Sequence, residues 1–326
     1  MAVKVTPDYI DLLNKAVEHE LGVSVQYILQ HGKMEKLIKK LIPENILLDK
    51  TTYDAVGKFL REIAIQEMKH ASDIIERIYY LGGKAVTTSG KVNIGNNIRE
   101  FAQNGVTAEE EALMLYRQII EAAGKIGDWQ TRTLFERIYR EEEDHLFKFQ
   151  EYVKFQDEPD QPSKVPMPEW RNIYTNDYFT LLNKAVSAEI TGIIQYINQH
   201  EKMNFVDLRA KNTVLETITE TNGAVVVSKI LRGVFMQEMD HLEKISERIY
   251  LLEGEAATNP NPLPVVGETV QDFLVLDHKL ESDTIVLYRK IIAKALELGD
   301  TTTRRLFEDI IIQEEEHFWV FDDYLK

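Results

Sequence analysis

The 326-residue chain contains no cysteine. That absence excludes disulfides, thiolate catalysis, Cys-ligated zinc and Cys-held iron–sulfur clusters. Basic residues are outnumbered. There are 38 Lys+Arg against 54 Asp+Glu, for a formal net charge of −16. So acidic a chain repels polyanions, which excludes nucleic acid and anionic membrane surfaces as partners and favours cations. No apolar run approaches the ~18 residues of a membrane span. The opening MAVKVTPDYI shows no export signal, so a cytoplasmic protein is expected. Proline is sparse at nine residues, yet four fall within DEPDQPSKVPMPEW (157–170). Such a segment cannot be helical and reads as a stiff linker.

What the chain does have is two copies of one pattern. LLNKAVEHELGVSVQYILQHGKM (12–34) returns as LLNKAVSAEITGIIQYINQHEKM (181–203). QEMKHASDIIERIYYL (66–81) returns as QEMDHLEKISERIYLL (237–252), and GDWQTRTLFERIYREEEDH (127–145) as GDTTTRRLFEDIIIQEEEH (299–317). The offset grows from 169 to 171 to 172 only between matched blocks, as expected when loops absorb insertions. The expected domains are residues 1–158 and 173–326, joined by a Pro-rich linker over 159–172.

Within each copy the apolar period is helical, without convincing alternation of the strand type. Four helices are predicted in the first copy, over about 7–38, 52–81, 97–125 and 128–155. Turns are marked by Pro43, Gly82-Gly83 and Gly127-Asp128. A longer connection between the second and third helices makes the expected fold all-α, two tandem four-helix bundles of ferritin-like connectivity.

The core seams of these helices hold carboxylates and imidazoles where leucines belong. The second helix shows Phe59, Ile63, Glu67, His70, Ile74, Ile78 and Leu81, and its counterpart Ile230, Val234, Glu238, His241, Ile245, Ile249 and Leu252. The fourth shows Phe135, Ile138, Glu142, His145, Phe149 and Tyr152, repeated as Phe307, Ile310, Glu314, His317, Phe321 and Tyr324. Glu20 joins Leu13, Tyr27 and Met34 on the first helix, as Glu189 joins Leu182, Tyr196 and Met203. Glu109 shares a face with Leu113, Tyr116 and Ile120, and Glu281 with Ile285, Tyr288 and Ile292.

Each bundle would therefore bury four Glu and two His, with few Lys or Arg to pair them. Unpaired buried carboxylates are costly. Two divalent ions would neutralise four carboxylates and accept two imidazole nitrogens, an arrangement known for di-iron carboxylate bundles. Oxygen-rich donors with one His per metal suit Fe or Mn. Four of the eight His follow a Glu by three residues; with 35 Glu in the chain, chance would supply about one. The flanking runs Glu109-Glu110-Glu111 and Glu141-Glu142-Glu143 read mostly as solvated faces.

At these residues the chain resembles the bacterioferritin branch of the ferritin-like superfamily. The resemblance is carried by QEMKHASDIIERI, by a Tyr seven residues after the first-helix Glu, by GKVNIG (90–95) and by EEEDH. It implies a ferroxidase centre with Glu20, Glu67, His70, Glu109, Glu142 and His145 as ligands in the first copy. In the second copy the ligands would be Glu189, Glu238, His241, Glu281, Glu314 and His317. The Glu of each ExxH pair would bridge two irons, giving four Fe per chain, with Mn possible. The implied reaction oxidises Fe(II) to Fe(III) with O2 or H2O2.

Tyr27 and Tyr196 match a family Tyr that hydrogen-bonds a ligand carboxylate or donates an electron; a core Tyr with a satisfied hydroxyl is the other reading. Met68 and Met239 match the thioethers that hold haem b between two subunits. Apolar outer faces (Leu21, Val25, Ile28, Ile65; Ile190, Ile193, Ile194, Ile197, Phe235) accompany them. The two copies are thus expected to pack as a pseudo-dimer, with haem or a dry Met-lined interface between them, and homo-oligomers are possible. His31 and His200 recur at matching places and read as surface or interface His more than as ligands.

Departures from the family bear on storage. Nine residues follow His317, the first-to-second helix connections are long (IPENILLDKTTYD; DLRAKNTVLETITETNGA), and a small fifth helix is not expected. Shell-building elements would then be absent or altered while the oxidation site is intact. Two enzyme alternatives are a rubrerythrin-like peroxide reductase, weakened by the lack of a four-cysteine module, and a manganese catalase. A metal-stabilised scaffold without turnover is a third, disfavoured because packing alone would not keep six ligands in both copies.

Overall fold

The computed structural model describes residues 5–40, 46–154, 173–210 and 218–326. Among these residues the chain forms eight helices and no strand. They are α1 (Pro7–Lys40), α2 (Ile46–Tyr80), α3 (Ile98–Ile126), α4 (Trp129–Val153), α5 (Asn176–Ala210), α6 (Ile218–Leu251), α7 (Val270–Leu298) and α8 (Thr301–Leu325). The chain divides into two compact units, Met1–Lys164 and Val165–Lys326. The division falls within 155–172; the expected linker, 159–172, lies outside the described residues.

In the first unit α1 packs along α2, α3 along α4, and α1 also meets α3. The connection from α2 to α3 decides the topology, and α1 guides it. Asn14 binds both Lys84 O and Val86 N at 3.0 Å, Gly90 N donates to Glu18 O, Asn93 N donates to Gln26 Oε1, and Gln30 Nε2 donates to Ile94 O. The connection therefore travels with α1 from residue 14 to residue 30, about 24 Å at 1.5 Å per residue. It returns the chain to the end at which α2 began, so α3 runs parallel to α2, the ferritin-like order. Gly22 permits this close passage: a Cβ there would stand 3.0 Å from the backbone of Gly90. The second unit repeats the device with Asn183, Ser187 and Gln195 on α5, and Thr191 in place of Gly22 donates its hydroxyl to Pro262 O.

The α3–α4 and α7–α8 corners are built as Gly-Asp suggests. Gly127 and Gly299 adopt positive φ (74° and 72°) at the helix C-termini, and Asp128 and Asp300 cap the next helices by accepting the amide hydrogens of Thr131 and Thr303. Two readings shift. Helix α2 begins at Ile46, six residues before the predicted start, because Pro43 blocks helix only on its own side and nothing in ILLDKTT breaks one. The inward positions on α3 and α7 are Ile119 and Ile291, not Ile120 and Ile292, because a helix face alternates steps of three and four. The α8 seam ends at Phe321; Tyr324 is exposed.

Candidate metal centres

Among the described residues, each bundle encloses one such cluster of carboxylates and imidazoles. In the first, Glu20 of α1, Glu67 and His70 of α2, Glu109 of α3, and Glu142 and His145 of α4 are all buried to 2% exposure or less. Their helical spacing explains this placement: Ile63, Ile74 and Ile78 bury the same face of α2, and Phe135, Ile138 and Phe149 the same face of α4. Donor atoms of Glu20, Glu67, His70 and Glu142 lie within 4.8 Å of one another, as do those of Glu67, Glu109, Glu142 and His145. The second bundle forms the corresponding pair of groups, Glu189, Glu238, His241 and Glu314, and Glu238, Glu281, Glu314 and His317.

Glu67 and Glu142 belong to both groups of the first cluster, and their oxygens are divided. Glu67 directs Oε2 to His70 Nδ1 at 2.8 Å and Oε1 to His145 Nδ1 at 3.0 Å. Glu142 directs Oε1 to His70 Nδ1 and Oε2 to His145 Nδ1, both at 2.9 Å. In the second cluster Glu238 reaches His241 and His317 at 3.2 and 3.3 Å, and Glu314 reaches them at 2.8 and 3.7 Å. The outer carboxylates belong to one side each: Glu20 and Glu189 approach His70 and His241 at 3.7 and 3.6 Å, and Glu281 approaches His317 at 3.7 Å.

Hydrogen bonding does not account for this geometry. One ring nitrogen carries at most one proton, whereas His70 Nδ1 faces three carboxylates. Among the described residues, buried oxygens of Glu20, Glu67, Glu189, Glu238 and Glu314 have no hydrogen-bond partner of acceptable geometry. The electrostatics agree. Burial and the Glu142 and Glu67 carboxylates push Glu109 far above its ordinary pKa, and burial with Glu314 and Glu238 does the same to Glu281. Burial would lower the histidines, yet their carboxylate neighbours overcome it, raising His145 and His317 to about 9. The cluster therefore lacks positive charge, and two divalent cations would supply four units of it. The donor set fits hard or borderline metals.

Outer groups orient the cluster. Tyr27 donates to Glu109 and Tyr196 to Glu281; both tyrosines are fully buried. Tyr116 donates to Glu20, whereas its counterpart Tyr288 has no hydrogen-bond partner for its hydroxyl among the described residues. His70 Nε2 meets Glu141 Oε2 at 2.6 Å, His241 Nε2 meets Gln313 Oε1 at 2.6 Å, and His317 Nε2 meets Gln237 Oε1 at 2.9 Å. The seam pattern misses these partners: they lie one residue before a cluster Glu and reach across to the facing helix. His31 and His200 stand apart from the clusters, bonded through Nδ1 to the carbonyls of Gly57 and Ser228 on the facing helix. Met68 and Met239 are buried, one in each unit. One step along the helix turns them about 100° from Glu67 and Glu238.

The seam pattern misses Asp277 too. It replaces Gly105 of the first copy and is fully buried, accepting from Gln195 Nε2 at 2.9 Å while its Oδ2 finds no partner among the described residues. Burial raises its pKa to about 8, against the hydrogen bond from Gln195. The folded state then holds a proton that the unfolded chain releases near pH 4, so this group lowers stability by up to ~1.4 kcal/mol per pH unit between about pH 4 and 8. Asp277→Asn should therefore raise the unfolding temperature more at pH 8 than at pH 5. An equal change at both pH values would contradict this.

The ferritin-like domain model matches residues 45–156 and again 223–326. Over 138 residues the chain is 34% identical to the bacterioferritin of Desulfovibrio desulfuricans, covering 42% of this chain and 69% of that protein. It is 30% identical over 145 residues to the bacterioferritin of Brucella melitensis, covering 44% and 81%. A solved bacterioferritin of D. desulfuricans, described with its diiron site in different catalytic states, aligns with a TM-score of 0.41 at 27% identity, over 49% of this chain and 83% of that one. No helix among the described residues is long and apolar enough to cross a membrane. The chain belongs to the bacterioferritin family, as a tandem pair of ferritin-like domains.

Proposed function

We propose that each bundle is a ferroxidase that takes two Fe(II) and passes their two electrons to O2 or H2O2. The single observation that supports this most is the division of Glu67, Glu142, Glu238 and Glu314 between two histidines each. A carboxylate so placed can touch two metal ions at once and holds them close enough to surrender electrons as a pair. Glu20, Glu109, Glu189 and Glu281 would bind one ion each, and His70, His145, His241 and His317 would each give one Nδ1 lone pair. These nitrogens must shed their protons first, and with His145 and His317 raised to about 9 metal uptake should weaken steadily as pH falls below about 9.

Tyr27 and Tyr196 would hold the outer carboxylates in place through their hydroxyls; donating an electron is a further role for the same side chains. Met68 and Met239 are proposed haem ligands. A Soret band in protein produced with ample haem supports that assignment, and its absence in the same protein would sink it.

The test of the main reading is stoichiometric. Protein loaded without oxygen should bind four Fe(II) per chain and convert them to Fe(III) when oxygen or peroxide is admitted, with one O2 reduced to H2O2 for every two Fe(II) if O2 is the two-electron oxidant. Fewer than two Fe(II) bound per bundle, or four that remain ferrous in both oxidants, would refute it.

A further inference from the structure

The two centres have matching inner residues and different surroundings. In the first bundle His70 Nε2 donates to the Glu141 carboxylate at 2.6 Å. Behind Glu141 stands Arg137, 3.4 Å from both of its oxygens and paired on its far side with Asp73. A continuous run thus leads from imidazole to carboxylate to guanidinium to carboxylate. Glu141 thus accepts from His70 as a carboxylate that a guanidinium faces from behind. In the second bundle the corresponding positions are His241, Gln313, Asp309 and Lys244. Only the contact to His241 persists, now to a neutral amide oxygen at 2.6 Å. The other histidine of that bundle, His317, also leans on an amide, that of Gln237.

A carboxylate acceptor and an amide acceptor do different things to a metal-binding imidazole. A hydrogen bond to an ionised acceptor is roughly twice as strong as one between neutral groups. It withdraws the Nε2 proton further and leaves Nδ1 the better electron donor, and loss of such a partner typically costs about 10- to 100-fold in metal affinity. The amide fixes the same tautomer and ring orientation without that gain. Charge acts in the same direction: Glu141, Arg137 and Asp73 together carry one net negative charge, whereas Gln313, Asp309 and Lys244 together carry none. Asp277, the extra carboxyl of the second bundle, is mostly protonated at neutral pH and adds little.

We propose that the two centres are inequivalent, with Glu141 as the positioning residue that makes the His70 side of the first centre the tighter divalent-metal position of the chain, and Gln313 as the residue that leaves the His241 side weaker. One chain would then fill in order as metal rises: the first bundle at low concentration, the second as a reserve. This rests on the ferroxidase reading of the clusters.

Co(II), whose visible absorption reports its coordination, is the probe, titrated into the full-length apo protein and read as binding rather than turnover. The wild-type isotherm should need at least two affinity classes within four equivalents. E141Q should weaken one equivalent about 10-fold or more, and Q313E should tighten one of the weaker equivalents by a similar factor. The second variant matters because a gain of affinity cannot come from misfolding. Four equivalents of one affinity, or an isotherm that neither substitution moves, would overturn the inequivalence and leave the metal centres standing. No Co(II) bound at all would overturn both.

Discussion

Replacing Glu67 and Glu238 with Ala should abolish iron oxidation, lowering the rate by more than about 100-fold, equivalent to roughly 3 kcal/mol or more of barrier. The expectation comes from the divided carboxylates. Each of these residues serves both groups of its cluster, so its loss removes one donor from each metal position and the link between them. Glu20→Ala is the informative contrast. Of the two histidines Glu20 approaches only His70, so its removal should weaken one position of the first bundle and leave the second bundle unchanged. Anaerobic Fe(II) binding and the absorbance rise on admitting oxygen distinguish the cases. The double variant should show neither tight binding nor rapid oxidation, and the Glu20 variant should keep about half the oxidation amplitude. A double variant that oxidises iron at the wild-type rate would show that these carboxylates are not the ligands.

The inner residues of both centres are legible in the amino-acid sequence, for a physical reason. A polar residue on a core seam is expensive, so Glu67-His70 and Glu142-His145 stand out against the isoleucines and phenylalanines around them, and duplication prints the anomaly twice. The outer residues are illegible by the same logic. Glu141 belongs to a run of three acidic residues, and a seam pattern says only that it points away from the core. That it reaches His70 depends on how α4 lies against α2, which periodicity does not contain. Asp277 carries a weaker signal, an acidic residue opposite Gly105 in a stretch where the copies diverge (FAQNGVTAE, 101–109, against FLVLDHKLE, 273–281). Its meaning needs the packing: in the first bundle a Cβ at Gly105 would sit 2.5 Å from the Phe149 ring, whereas in the second the position opens toward Gln195. The α2 start is misplaced by sequence reasoning because proline marks where a helix cannot run, and says little about where the next begins.

The corner that closes each bundle should prove as sensitive to mutation as the centre, though for stability. Asp128 caps α4, and its carboxylate also takes a hydrogen bond from Tyr9 of α1 at 3.1 Å and an ion pair from Arg77 of α2 at 2.6 Å. Arg77 Nε donates in turn to the Thr131 hydroxyl at 2.8 Å. One carboxylate, 1% exposed, thus joins α1, α2 and α4 at the turn that leaves α3. The second bundle repeats it with Asp300, Tyr178, Arg248 and Thr303. Asp128→Ala removes a cap worth ~1 kcal/mol, takes the ion-pair partner from a largely buried guanidinium and removes the acceptor of a buried phenol. Breaking such a pair costs about 3–5 kcal/mol when fully buried, and Arg77 retains some exposure, so ~3 kcal/mol is expected. The pH dependence identifies the cause. Burial would raise the Asp128 pKa, but the bonds from Thr131 and the charge of Arg77 hold it below the ordinary 3.8. Its ionised form therefore stabilises the fold above about pH 4, and that contribution fades as pH falls through the folded-state value. Unfolding of Asp128→Ala and wild type should differ widely at pH 7 and converge toward pH 3; a constant difference would assign the loss to packing instead of charge.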